Sequence, residues 1–259
     1  MIFIVNKEDL RSWFNIDSSI NVQIPNEIFE DFHQAEFESF NHKCFAYAYY
    51  YVVSYLYRNA LYGTRDVSVY SQSNIISLST TNKSSISYIT KKGGLLDSIG
   101  YTRTTTDYPI APYMDNGILE FETIKSLRKR MSDVRLDNNP RFTIKEPVKA
   151  IVRFDDEDCT GTFYSFQSTH RIDIMKFITI IADDQLGHVG LYVYGYLNMM
   201  FDRFPMGYTI SNADLAKVVG CSERTINSYT NRLESLGLIS SSRKTIGSSK
   251  RFEKSYCVI

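Results

Sequence analysis

Residues 211–239 read SNADLAKVVGCSERTINSYTNRLESLGLI, and this stretch decides the fold. Ser211 suits a helix N-cap, with Asp214 three residues on in the acidic place of a capping box. A helix over NADLAKVV follows, with Leu215, Val218 and Val219 on its apolar side. Gly220 and Cys221 make a tight break. Ser222 caps a second helix, ERTINSYTNRLESL, whose apolar face is Ile226, Tyr229, Leu233 and Leu236. Gly237 stands where a helix C-terminus wants a left-handed residue.

On either side the pattern continues. Upstream, GHVGLYVYGYLNMMFDRF (187–204) reads as a buried helix and GYTI (207–210) as a short extended piece. Downstream, SSSRKTIGSSKRFEKSYCVI (240–259) reads as two strands flanking Gly247-Ser248-Ser249, a hairpin. The order is helix, strand, helix, tight turn, helix, hairpin. This segment resembles the winged helix-turn-helix superfamily, in which A-x-x-x-G-C-S-x-R-T-[IV] is a frequent form of the turn and recognition helix. The resemblance implies DNA binding with the second helix of the pair in the major groove.

The chain also repeats itself. YVVSYL at 51–56 and YVYGYL at 192–197 match at four of six positions. Sliding the helix-turn-helix template back by 140 residues puts Leu215 on Ile75, Val218 on Leu78, Ser222 on Asn82, Ile226 on Ile86, Tyr229 on Ile89, Leu236 on Leu96 and Ile239 on Ile99. Ahead of this, KCFAYAYYYVVSYLYRNAL supplies a first helix and RDVSV a short strand. Behind it, YTRTTTDYPI and GILEFETI suit a hairpin bending around Pro109–Pro112. Gly93-Gly94 shortens the first recognition helix.

The expected fold is therefore α+β: two tandem winged helix-turn-helix domains with a small intervening β-rich segment. The expected divisions are an acidic arm over 1–42, a first winged-helix domain over 43–125, a linker helix and small sheet over 126–182, and a second winged-helix domain over 183–259. The architecture resembles the replication initiators of plasmids and phages, and transcription regulators share it. In the middle, FETIKSLRKRMSDV places Phe121, Ile124, Leu127 and Met131 at helical spacing, while PVKAIVRF, TGTFYSFQS and RIDIMKFITII read as strands.

Charge follows the same division. The chain of 259 residues has a formal net charge of zero. Residues 1–42 hold two basic and eight acidic side chains, while 186–259 hold nine basic and five acidic. The arm, with Phe29, Phe32, Phe37 and Phe40 among its acids, is expected to pack by its rings or to serve self-association or a protein partner, away from DNA. Apolar residues make up 43% of the chain, enough for real cores, and no long uncharged apolar run suggests a membrane span. Cys44, Cys159, Cys221 and Cys257 form no C-x-x-C pair, which suits free thiols in a reducing, cytoplasmic, nucleoid-associated setting.

The outward face of the second recognition helix carries Arg224, Thr225, Asn227, Ser228 and Asn231, and the wing carries Arg243, Lys244, Lys250, Arg251 and Lys254. Arginine pairs with guanine and asparagine with adenine in the major groove, and wing cations suit phosphate. In the first domain the equivalent residues are Lys83, Ser84, Ser85, Ser87 and Lys91, with Arg103 in the wing. The histidines at 33, 42, 170 and 188 are scattered, and no phosphate loop or nucleophile elbow is present. The acidic run at 155–158 reads as a loop rather than an ion site. The expectation is a double-stranded DNA binder that is not an enzyme and needs no metal or cofactor. A protein-interaction scaffold built on winged helices is the alternative.

Overall fold

The computed structural model of the chain describes residues 7–14, 21–63, 67–78, 85–131, 142–153, 160–245 and 252–259. Among the expected features, Lys83, Ser84, Lys250, Arg251, Gly247–Ser249 and the acidic run at 155–158 lie outside these residues.

The elements begin with α1 (Lys7–Phe14), β1 (Asn21–Pro25), α2 (Ile28–Gln34) and α3 (Phe40–Arg58). Two 3-10 turns, Leu61–Gly63 and Val67–Tyr70, precede α4 (Gln72–Ser77), α5 (Ser87–Thr90) and α6 (Leu95–Ser98). Next come β2 (Arg103–Thr105), β3 (Pro109–Asp115), β4 (Ile118–Thr123), α7 (Ile124–Arg130), β5 (Ile144–Glu146) and α8 (Val148–Ile151). The chain closes with β6 (Thr169–Asp173), α9 (Ile174–Ile181), α10 (Gly187–Arg203), β7 (Tyr208–Ile210), α11 (Asn212–Val219), α12 (Glu223–Ser235), β8 (Ile239–Thr245) and β9 (Phe252–Val258). Among the described residues, no helix is long and apolar enough to cross a membrane.

Contacts divide the chain into two units. The first holds Val22–Pro25 and Tyr49–Gln167; the second holds α1, Asn26–Ala48 and Ser168–Ile259. These units are divided differently from the expected four segments. In the acidic stretch, Leu10, Trp13, Phe14, Phe29 and Phe32 are buried in the second unit, while Glu30, Glu36 and Glu38 face water. Burying each large apolar side chain contributes about 1.5–3 kcal/mol, more than peripheral acids can oppose.

In the first unit, α3 buries Tyr49, Tyr50, Tyr51 and Tyr55, and Tyr50 meets Tyr101 edge to face at 5.1 Å. The recognition helix expected here is broken. Among the described residues it consists of α5, four residues long, then a loop at Lys91–Gly94, then α6. Gly93 sits at φ 68°, and a Cβ on Gly94 would lie 2.5 Å from the Tyr88 carbonyl oxygen. A buried polar knot fixes the break. Asp97 accepts from Lys145 Nζ at 2.7 Å, from Thr102 Oγ1 at 2.6 Å and from the Gly93 N–H at 2.9 Å. Lys145, which also donates to the Lys91 carbonyl at 3.0 Å, comes from β5, antiparallel to β2.

Two further expectations are corrected in this unit. The hairpin bends at Asn116 and Gly117, both at positive φ (48° and 85°), not at the prolines, which lie within β3. An Asn-Gly connection matches the twist of the strands it joins, whereas proline is held extended there. Among the described residues the three expected strands of the intervening segment are also largely replaced by other structure. PVKAIVRF yields α8, and TGTFYSFQS forms turns. Of RIDIMKFITII, only residues 171–173 are strand, at the end of β6; α9 follows because Asp173 accepts from the Met175 and Lys176 N–H groups at 2.8 and 3.3 Å. Phe121 lies in β4, so the basic linker helix starts at Ile124.

The second unit is built on α10, buried from Val189 to Met199. The repeated phrase thus falls in two long buried helices, α3 and α10. Phe29, Tyr47, Tyr192 and Tyr196 form an aromatic cluster around His170, with Phe29 5.3 Å from the imidazole. The Tyr47 hydroxyl lies 2.6 Å from His170 Nε2, and His170 Nδ1 lies 2.9 Å from Asn26 Oδ1. The neutral ring satisfies both, accepting from tyrosine and donating to asparagine. Gly195 makes room, since a Cβ there would stand 2.1 Å from the Tyr47 hydroxyl.

Burial pushes the His170 imidazole down to about 3. Its folded value lies below that of an unfolded histidine, so the unfolded chain takes up the extra proton and stability falls as pH falls. Between pH 6.5 and 5, where carboxylates titrate little, unfolding free energy should drop by about 1–2 kcal/mol. Denaturant melts across that range check this, and His170→Gln should flatten the profile.

Candidate nucleic-acid interface

The last elements of the second unit follow the expected order: α10, β7, α11, α12, then β8 and β9. The sheet runs β7–β9–β8, antiparallel throughout. Ser211 caps α11, accepting from the Asp214 N–H at 3.0 Å, while its own hydroxyl donates to the Asp214 carboxylate at 2.6 Å. Gly220 ends α11 at φ 88°, and Ser222 caps α12 through the Thr225 N–H at 3.1 Å.

Two cations tie this helix pair to the unit's core. Lys43, buried on α3, donates to the Val219 carbonyl at 3.0 Å, at the negative end of α11. Its ammonium also lies 5.5 Å from the Phe40 and Tyr192 rings, and burial lowers its pKa. Arg232 on α12 grips Asp183, in the loop after α9, at 2.6 Å, and holds that carboxyl below its ordinary range.

Helix α12 buries Ile226, Thr230 and Leu233. Thr230 fits the core because its hydroxyl donates to the Ile226 carbonyl at 2.9 Å. Tyr229 and Leu236, expected on the apolar face, are only half-buried, and Val218 of α11 is 49% exposed. The inner face is therefore turned toward Thr230, with 226, 230 and 233 forming its buried i, i+4, i+7 row, and α12 packs on α10 and α11.

Arg224, Ser228 and Asn231 are exposed on the opposite side. Thr225 is half-buried and shares a 2.7 Å hydrogen bond with the capping hydroxyl of Ser222, so its polar group serves the cap. Asn227 is half-buried too, its Oδ1 accepting from Asn212 Nδ2.

The wing stands beside α12. Arg243 on β8 lies directly across from Lys254 on β9, and Lys244 across from Glu253. Two cations facing each other across strands destabilise the pair. Asn212, Glu223, Asn227, Asn231, Arg243 and Lys254 line one groove between the helices and the wing. Glu223 sits in the first turn of α12, where the helix dipole favours an acid.

In the first unit Ser87 and Lys91 are exposed and Ser85 is half-buried, but they lie on α5 and its flanking turns rather than on one long helix. Arg103 is on β2, not in the β3–β4 hairpin, and its guanidinium is neutralised by Glu146 at 2.6 Å. Asn212 and Tyr256 belong to the groove's hydrogen-bond network but were not expected. Their only sequence signals are a polar residue just after a helix cap and the alternation of β9.

The C-terminal part of the second unit has the element order and three-stranded sheet of a winged helix-turn-helix. Residues 208–240 match the family model described as winged helix-turn-helix DNA-binding, which spans β7, α11, α12 and the start of β8. No curated protein and no solved structure matches the chain.

Proposed function

We propose that this chain binds double-stranded DNA at a specific sequence, with α12 in the major groove and the wing on the phosphate backbone, in replication initiation of the plasmid or phage type or in transcription control. The reading involves no catalytic step and no cofactor. One observation carries it: α12 leaves Arg224, Ser228 and Asn231 exposed opposite its buried row, beside a groove that two wing cations share. Arginine and asparagine there can read base edges, and the cations can meet phosphate. The match of residues 208–240 supports the same assignment. Ser87 and Lys91 are the exposed candidates for a second contact from the first unit, and the tandem pattern of the sequence is what supports one.

Selection of bound genomic fragments tests the reading. Enrichment of an origin-like repeat array favours replication, and enrichment of promoters favours transcription. A footprint of about two helical turns would give the first unit a share of the duplex, and one turn would not. The zero net charge favours a protein-interaction scaffold instead, which predicts no enriched fragment.

The wing makes a separate prediction. Replacing Arg243 and Lys254 with alanine should weaken binding on all sequences alike and lower the slope of log K against log salt by about 2. An unaltered slope would take the wing off the backbone.

A further inference from the structure

A chain of hydrogen bonds runs from the core of the wing to the recognition helix. The Tyr256 hydroxyl, on β9, donates to Asn212 Oδ1 at 2.5 Å. Asn212, the first residue of α11, donates from Nδ2 to Asn227 Oδ1 on α12. The end of the chain on β9 is firm: Tyr256 is 1% exposed, and burial pushes its phenol up to about 12, so the hydroxyl keeps its proton at any working pH. The other end opens on the groove that Asn231, Arg243 and Lys254 line. Asn227 Nδ2 makes no hydrogen bond among the described residues, and its Oδ1 is turned toward Asn212.

We infer that Tyr256 and Asn212 are positioning residues that fix the direction of the Asn227 amide, so that α12 offers a donor and not an acceptor to one base edge. This deepens the DNA-binding reading and rests on it. A free asparagine pairs with adenine through both amide atoms, its oxygen accepting from N6 and its nitrogen donating to N7. Asn227 turns its oxygen toward Asn212, which leaves the nitrogen as the atom it presents to the groove. Guanine presents two acceptors, O6 and N7, and thymine presents O4, whereas adenine and cytosine present an amino group that needs an acceptor. The base read by Asn227 is therefore guanine or thymine. The Asn-to-adenine pairing that the residue type suggests needs both amide atoms turned to the base, and the neighbours turn one of them inward.

The relay can be turned around. Asn212→Asp keeps an acceptor for Tyr256 but offers only acceptors to Asn227. The Asn227 amide must then present Nδ2 inward and Oδ1 outward. Tyr256→Phe removes the donor that sets the direction and leaves the packing in place.

The experiment is selection from a randomised duplex library with the full chain and with Asn227→Ala, Asn212→Asp and Tyr256→Phe, each checked by a thermal melt. The parent chain should prefer guanine or thymine at one position by about tenfold, and Asn227→Ala should lose preference at that position alone. Asn212→Asp should move the preference there to adenine or cytosine. Tyr256→Phe should admit adenine, with the salt slope unchanged because no charge is altered. Tyr256→Phe can prove unstable, and Asn212→Asp then decides, since its side chain lies at the groove. An Asn227→Ala chain that keeps every preference would overturn the inference, as would an Asn212→Asp chain that keeps guanine or thymine. Either result leaves Arg224 free to read DNA, so the wider reading survives. If the parent chain selects no sequence, the DNA-binding reading itself fails.

Discussion

Arg224→Ala should flatten the preference for one base pair of the target, lowering discrimination there by roughly 5- to 150-fold, as expected for a lost bidentate contact of about 1–3 kcal/mol. Arg224 is the second residue of α12, and the first turn of a recognition helix is the part that meets base edges. Its side chain is exposed, and among the described residues no carboxylate lies within ion-pair distance of it. The fork is therefore available to guanine O6 and N7. Arg224→Lys separates shape from charge. Lysine keeps the attraction to phosphate but loses the planar pair of donors, so overall affinity should hold better than selectivity. Selections on both variants, with binding curves at two salt concentrations, measure the two effects. Unchanged selectivity in Arg224→Ala would remove this residue from base reading.

Gly195→Ala should destabilise the second unit by about 3 kcal/mol, the largest single-site effect on stability expected here. The new methyl would stand 2.1 Å from the Tyr47 hydroxyl, in the middle of buried α10. Tyr47 cannot yield freely, because its hydroxyl is hydrogen-bonded to His170 at 2.6 Å and its ring is packed against Tyr192 at 5.4 Å. Overpacking accounts for about 1–3 kcal/mol, and a stranded His170 nitrogen adds a comparable amount. Tyr47→Phe removes the colliding oxygen. Alone it should cost about 1–3 kcal/mol, since His170 loses its donor. Combined with Gly195→Ala it should cost less than the sum of the two, a coupling that denaturant melts of all four chains measure. Strict additivity would mean that the methyl is accommodated elsewhere.

The sequence made the helix-turn-helix of the second unit readable because each of its local signals agrees with the others. Ser211 and Ser222 cap, Gly220 takes the left-handed turn, and Ile226 and Leu233 face inward. The first unit shares the apolar spacing of that template but not its local signals. Spacing alone could not reveal that Asp97 and Lys145, forty-eight residues apart, bond to each other and hold Lys91–Gly94 open as a loop. The strand expected over RIDIMKFITII failed for a related reason. Its run of β-branched residues suits a strand, but Asp173 supplies a cap and the helix is covered on several faces. At the candidate site, exposure followed from the helical period, which is why Arg224, Ser228 and Asn231 were legible. The role of Asn227 was not, because the residues that orient it arrive from α11 and β9.

The level placement of Arg243 and Lys254 on neighbouring strands gives dissolved ions two opposite roles. In the resting protein, counterions shield one cation from the other and so firm up the hairpin. Once a polyanion lies across both, the same counterions compete with it and loosen its hold. On the proposed reading, the repulsion between the two cations is strongest in dilute buffer, and there an arriving phosphate relieves it most.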